Sequence, residues 1–95
     1  MEHRALYFTT PGCGVCQSLQ PKLKALFAEK YPQLSWQTVD SSEHPKLAAR
    51  YDVFTVPVLI VELDQQVVLR LVRNFSLHEL TARLDRLYSL RFSPH

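Results

Sequence analysis

Apolar positions recur along the chain at two different periods. Ala5-Leu6-Tyr7-Phe8 is apolar throughout and predicts a first buried strand, ended by the turn formers of Thr9-Thr10-Pro11-Gly12. From Cys13 onward, Val15, Leu19, Leu23, Leu26 and Phe27 recur with Gln17, Lys22, Lys24 and Glu29 between them. That spacing predicts an amphipathic helix closing near Tyr31-Pro32. Leu34-Ser35-Trp36-Gln37-Thr38-Val39 alternates at period two and predicts a second strand ending at Asp40. After the polar Ser41-Ser42-Glu43-His44, Pro45 opens a short helical segment of about two turns through Leu47, Ala48, Ala49 and Tyr51. The runs Val56–Val61 and Val67–Val72 flank Asp64-Gln65-Gln66, as expected of two antiparallel strands joined by a short turn, whose type the lack of glycine leaves open. Ser76-Leu77-His78-Glu79 has the spacing of a capping box, and Leu77, Leu80, Leu84, Leu87 and Tyr88 mark the buried stripe of a last helix.

The predicted order is βαβαββα, an α/β arrangement with a four-stranded mixed sheet flanked by three helices. Its opening strand, helix and strand form a right-handed crossover with parallel strands. With 95 residues the chain suffices for one hydrophobic core and not two, so residues 1–95 are expected to form a single domain. No repeat or linker divides it.

Composition narrows the function classes. A chain 46% hydrophobic and 21% charged is that of a globular protein and not of a disordered one. No apolar run approaches the roughly 18 residues that span a bilayer, so no membrane association is expected. Met1-Glu2-His3-Arg4 leads straight into the first strand without a cleavage pattern, which predicts a cytoplasmic location. The formal net charge of +2, from 11 Lys and Arg against 9 Asp and Glu, is too slight to indicate nucleic acid as a partner. Arg70, Arg73, Arg83, Arg86 and Arg91 are interrupted by Glu79 and Asp85 and describe a solvated helix face.

The chemistry lies in the two cysteines. Cys13 falls between a strand-ending turn and a helix start, where unpaired N–H groups and the positive end of the helix dipole favour a thiolate. Cys16 lies about one turn further on, where its sulfur can close an intramolecular disulfide. Its place on the apolar stripe beside Val15 and Leu19 predicts partial burial and a resolving role, with Cys13 as the attacking thiol. A zinc site would need two more Cys or His ligands at suitable spacing, and His3, His44, His78 and His95 stand isolated, so no metal is expected. The reading requires no cofactor.

Four marks taken together carry a resemblance to the thioredoxin superfamily over essentially the whole chain. They are Cys13-Gly14-Val15-Cys16 at the strand-to-helix turn, Pro21 within the following helix, Tyr51-Asp52-Val53, and Thr55-Val56-Pro57 opening the third strand. The resemblance implies a thioredoxin-like fold in which Val56-Pro57 is cis and Pro57 packs beside Cys13. It also implies that Val56 offers its backbone to a bound peptide, with Gly12 and Thr55 completing the substrate-binding surface. The chain looks like a thioredoxin trimmed of its first strand and helix, close to the core that glutaredoxins also use. It departs from the family at three places: Gly12 stands where a Trp usually precedes the first cysteine, Tyr7 replaces a buried acid, and Trp36 replaces that acid's usual Lys partner. Arg73-Asn74-Phe75-Ser76 stands where glutaredoxins carry their glutathione-gripping segment.

The expected function is therefore a monomeric thiol–disulfide oxidoreductase that reduces protein disulfides through Cys13 and Cys16. A reductase or glutathione would serve as electron donor. Two alternatives remain open at this point, a binding or adaptor module that uses the groove beside Pro57 and a redox sensor without rapid turnover.

Overall fold

A computed structural model describes residues 3–92 of the chain. Seven elements follow in order: β1 (Arg4–Thr9), α1 (Gly14–Lys30), β2 (Ser35–Asp40), α2 (Pro45–Arg50), β3 (Val58–Leu63), β4 (Gln66–Val72) and α3 (Leu77–Phe92). The four strands form one sheet in the order β2-β1-β3-β4, with β1 parallel to β2, and β3 antiparallel to both β1 and β4. This is the predicted α/β arrangement.

Alternate residues of the two central strands face opposite sides of the sheet, and both sides are covered. Ala5, Tyr7, Leu59 and Val61 pack with Leu23 and Phe27 of α1 and Leu80 and Leu84 of α3. Leu6, Phe8, Val58 and Ile60 pack on the other side with Ala48, Tyr51 and Val53, under α2. Burial on two faces explains why both central strands read as unbroken apolar runs. β2 is an edge strand, in which Val39 alone is fully buried and Trp36 is half-buried.

Local chemistry fixes the ends of several elements. β3 begins at Val58, two residues later than its apolar run predicts, because Pro57 has no N–H to give the ladder. Asp64 and Gln65 form a two-residue hairpin loop with φ of 53° and 69°, the pair of positive values that a type I′ turn demands. Neither residue is glycine, and the turn is pinned from outside. The Arg91 guanidinium donates to both Asp64 carboxylate oxygens at 2.8 and 3.1 Å, and the Asp64 N–H donates to His3 Nδ1 at 3.0 Å. Ser76 caps α3 by accepting the Glu79 N–H on its Oγ at 3.0 Å.

At the far end of the sheet from the cysteines, Glu62 is the one buried charged side chain among the described residues. Arg4 donates to its Oε1 through Nε at 3.0 Å and Nη2 at 2.8 Å, while the Tyr51 hydroxyl donates to its Oε2 at 2.6 Å. Arg4 also donates to Tyr51 Oη at 2.9 Å, and Arg70 donates to the Tyr51 carbonyl. Tyr51 is thereby held at both ends, just before the segment that leads to Pro57.

Candidate active site

The pairing registers place three connections at one end of the sheet. Phe8 pairs with Val58 and Val58 with Val72, so the turn after β1, the approach to β3 and the exit from β4 are neighbours. Cys13 lies on the first, Val56-Pro57 on the second and Arg73 on the third.

Cys13 is the N-cap of α1 and is half-buried, whereas Cys16 is wholly enclosed. Their sulfurs are joined as a disulfide, with Cα atoms 5.2 Å apart. The Cys16 N–H donates to Cys13 Sγ at 3.1 Å, so the cap position that usually holds a hydroxyl or carboxylate oxygen is taken by sulfur. The turn is fastened from two sides: Cys13 N–H donates to the Thr10 carbonyl at 3.2 Å, and Gln17 Nε2 donates to the Pro11 carbonyl at 2.9 Å. No acidic residue occupies the first turn of α1, which leaves the positive end of its dipole uncompensated at the sulfurs. α1 continues through Pro21 to Lys30.

Two expectations need correction. Cys16 is fully and not partly buried, because the β1 strand and the α1–α3 core close over it. Val15, expected beside it on the buried stripe, is 57% exposed. It lines a shallow surface cleft with Leu19 and Phe75 instead of entering the core.

Tyr7 forms the floor of the site. Its hydroxyl donates to the Cys16 carbonyl at 2.9 Å, and its ring stacks on Trp36 with centroids 5.7 Å apart. Burial pushes its phenol up to about 12, so it stays a donor across the working pH range. Tyr7 and Trp36 thus form a neutral stacked aromatic pair at this floor.

Thr55-Val56-Pro57 lies on the neighbouring connection that leads into β3. The Val56–Pro57 peptide bond is cis, Pro57 is buried, and its carbonyl accepts the Arg73 N–H at 2.8 Å. Thr55 and Val56 are half-buried and Gly12 is exposed. An apolar groove of about 330 Å³ runs from Thr10 to Val56 between α2 and this connection, with Ala48, Val53 and Phe54 among its lining. Phe54 is 85% exposed, and sequence reasoning missed it because an aromatic beside Val53 reads as core.

The thioredoxin family model matches residues 2–86. The chain belongs to the thioredoxin family. The thioredoxin-like protein YdfQ of Bacillus subtilis (strain 168) is 32% identical over 85 residues, spanning 90% of this chain and 75% of YdfQ. A thioredoxin of Staphylococcus aureus (strain Mu50 / ATCC 700699) is 33% identical over 79 residues, spanning 83% of this chain and 76% of that protein. In three dimensions the chain is similar to thioredoxin 1 of Thermosipho africanus TCF52B, with a TM-score of 0.84 and 27% identity over 93% of this chain and 97% of that one. Thioredoxin-family membership together with the Cys13–Cys16 pair supports thiol–disulfide oxidoreductase activity in general. No described helix is long and apolar enough to cross a membrane.

Proposed function

We propose that this protein is a single-domain, monomeric reductant of protein disulfides, working in the cytoplasm with Cys13 as nucleophile and Cys16 as resolving thiol. The observation that carries the reading is the asymmetry of the pair, a reachable Cys13 at the helix mouth bonded to an enclosed Cys16.

In the reduced protein the Cys16 N–H and the dipole of α1 stabilise a Cys13 thiolate. That thiolate attacks one sulfur of a substrate disulfide, forming a mixed disulfide and expelling the other substrate sulfur as thiolate. Among the described residues the Cys16 thiol has no buried carboxylate beside it, since Glu62 lies at the other end of the sheet. Its proton passes to the departing thiolate. The Cys16 sulfur then attacks Cys13 Sγ and releases the second substrate thiol. Two electrons have moved to the substrate and the Cys13–Cys16 disulfide has formed, to be reopened by a reductase or by glutathione. Gly12, Thr55, Val56 and Pro57 border the path of the incoming chain, and Val56 pairs its backbone with it as an added strand.

Cys16→Ser tests this directly. The variant is expected to accumulate mixed disulfides on Cys13, resolved by non-reducing electrophoresis and released by dithiothreitol. An absence of trapped partners, with Cys13 still open to alkylation, would refute the reading. The exposed Phe54 beside the groove favours a second reading, in which the same surface holds a partner without turnover. A Cys13→Ser/Cys16→Ser protein that retains all its partners would support that adaptor role instead.

A further inference from the structure

On the side of the disulfide away from the apolar groove lies a smaller cleft of about 190 Å³, between α1 and the turn that joins β4 to α3. Val15, Leu19 and Phe75 form its apolar floor, and Lys22 and Arg73 stand at its edges. No acidic residue lines it. Along α1 the neighbours of Lys22 one turn away on either side are Ser18, Leu19, Ala25 and Leu26, so the helix supplies no carboxylate to it. No ion pair joins Lys22 or Arg73 to another described residue. By contrast Lys30 and Arg91 are each matched to an aspartate.

Arg73 is unusual in its backbone as well as its charge. Its φ is 62°, in the left-handed region where a side chain is disfavoured and glycine is at ease. Its N–H is bonded to the Pro57 carbonyl, so this conformation is tied to the cis-proline connection. A long cationic side chain is thus carried at a backbone position better suited to glycine, on the rim of the candidate active site.

We propose that this cleft is a specificity site for an aspartate or glutamate lying a few residues from the cysteine of a protein substrate. The inference rests on the disulfide-reductase reading and adds the class of substrate to it. Two cations without acidic partners, above an apolar floor that receives the methylenes of the side chain, complement a carboxylate. The size selects a side chain over a whole small molecule such as glutathione. Pockets that enclose a small-molecule ligand are about 300–1,000 Å³, and this one is about 190 Å³. The cleft also shares Val15 with the Cys13–Cys16 loop and Arg73 with the Pro57 hydrogen bond, so a chain bound for exchange passes beside it.

The test compares sets of disulfide-linked peptides of one sequence carrying Glu, Gln or Lys at each position within a few residues of the cysteine, together with glutathione disulfide, by kcat/KM at low salt. At one of these positions the wild-type protein is expected to favour the Glu peptide over the Gln peptide by roughly 3–10-fold, the scale of two solvent-accessible ion pairs. The ratio should shrink as salt is raised and the Debye length falls below about 10 Å. Lys22→Glu/Arg73→Glu should invert the order in favour of the Lys peptide. Arg73→Gly, which suits the backbone while removing the charge, should bring the Glu-to-Gln ratio toward one. Equal rates for the three peptides at every position in the wild type, a preference that survives both variants, or a loss confined to glutathione disulfide would each overturn the proposal while leaving the reductase reading intact. Failure to reduce any of these disulfides would overturn both.

Discussion

Replacing Tyr7 with Phe deletes one hydroxyl from the floor beneath Cys16 and leaves the ring in place. The ring is fully buried and stacks on Trp36, so packing is preserved and the change is confined to the bond from Tyr7 Oη to the Cys16 carbonyl. A hydrogen bond of this kind contributes about 0.5–1.5 kcal/mol net, and a buried acceptor left unmatched costs about 1–3 kcal/mol. Because the variant also ceases to bury a hydroxyl, we expect the oxidised protein to lose about 1–2 kcal/mol, near the overlap of those ranges. Each kcal/mol should lower Tm by roughly 4–8 °C in a domain of this size. Trp36 is the sole tryptophan and touches the Tyr7 ring, so its fluorescence reports urea unfolding at the site itself. The midpoint should fall with the slope m unchanged. Alkaline pH gives a second reading, of the buried neutral phenol itself. Burial raises the folded phenol from about 10 to about 12, so its stabilising contribution is whole below pH 10 and is lost as pH rises toward 12. The gap between wild type and Tyr7→Phe should therefore be flat from neutrality to about pH 9 and narrow beyond about pH 10. A gap no larger than the roughly 0.5 kcal/mol of an ordinary surface substitution would refute the role assigned to this hydroxyl.

Tyr51→Phe removes a donor from the buried Glu62 carboxylate and an acceptor from Arg4, and should destabilise the fold by about 1.5–3 kcal/mol in the same denaturation assay. Asp85 accepts from the Tyr31 hydroxyl and from Lys30, which hold its carboxyl below the usual range, with the tyrosine contributing more. A depressed folded pKa stabilises above the unfolded value near 3.9 and the effect fades as pH falls through the folded one, so Asp85→Asn should flatten the stability profile on the acid side of about pH 4. A profile unchanged by Asp85→Asn would show that this contact contributes nothing.

Periodicity disclosed the elements because burial imposes it. Two-faced burial of β1 and β3 produced unbroken apolar runs, and the one-faced helices α1 and α3 produced stripes. The reactive pair was legible for a related reason, since a turn with Pro and Gly ahead of an amphipathic run leaves little choice about where Cys13 sits. The rim was less legible. Val15 and Phe54 look like core residues in a string of letters, and only the third dimension shows that they line surface clefts and stay out of the core. Arg73 gives no hint of its left-handed backbone, because glycine is the letter that announces one. The tight Asp64-Gln65 turn was hidden in the same way, its positive φ values being maintained by distant Arg91 and His3.

Tyr7 and Cys16 are wholly enclosed, while Phe54 and Arg73 stand in solvent on loops. Chemistry and recognition are thus anchored at different depths. A mutation in the first kind of residue acts within the core, whereas one in the second leaves the interior untouched. If the rim selects partners as proposed, that division lets descendants of this scaffold change their clientele by drifting there while the enclosed cysteine keeps its surroundings.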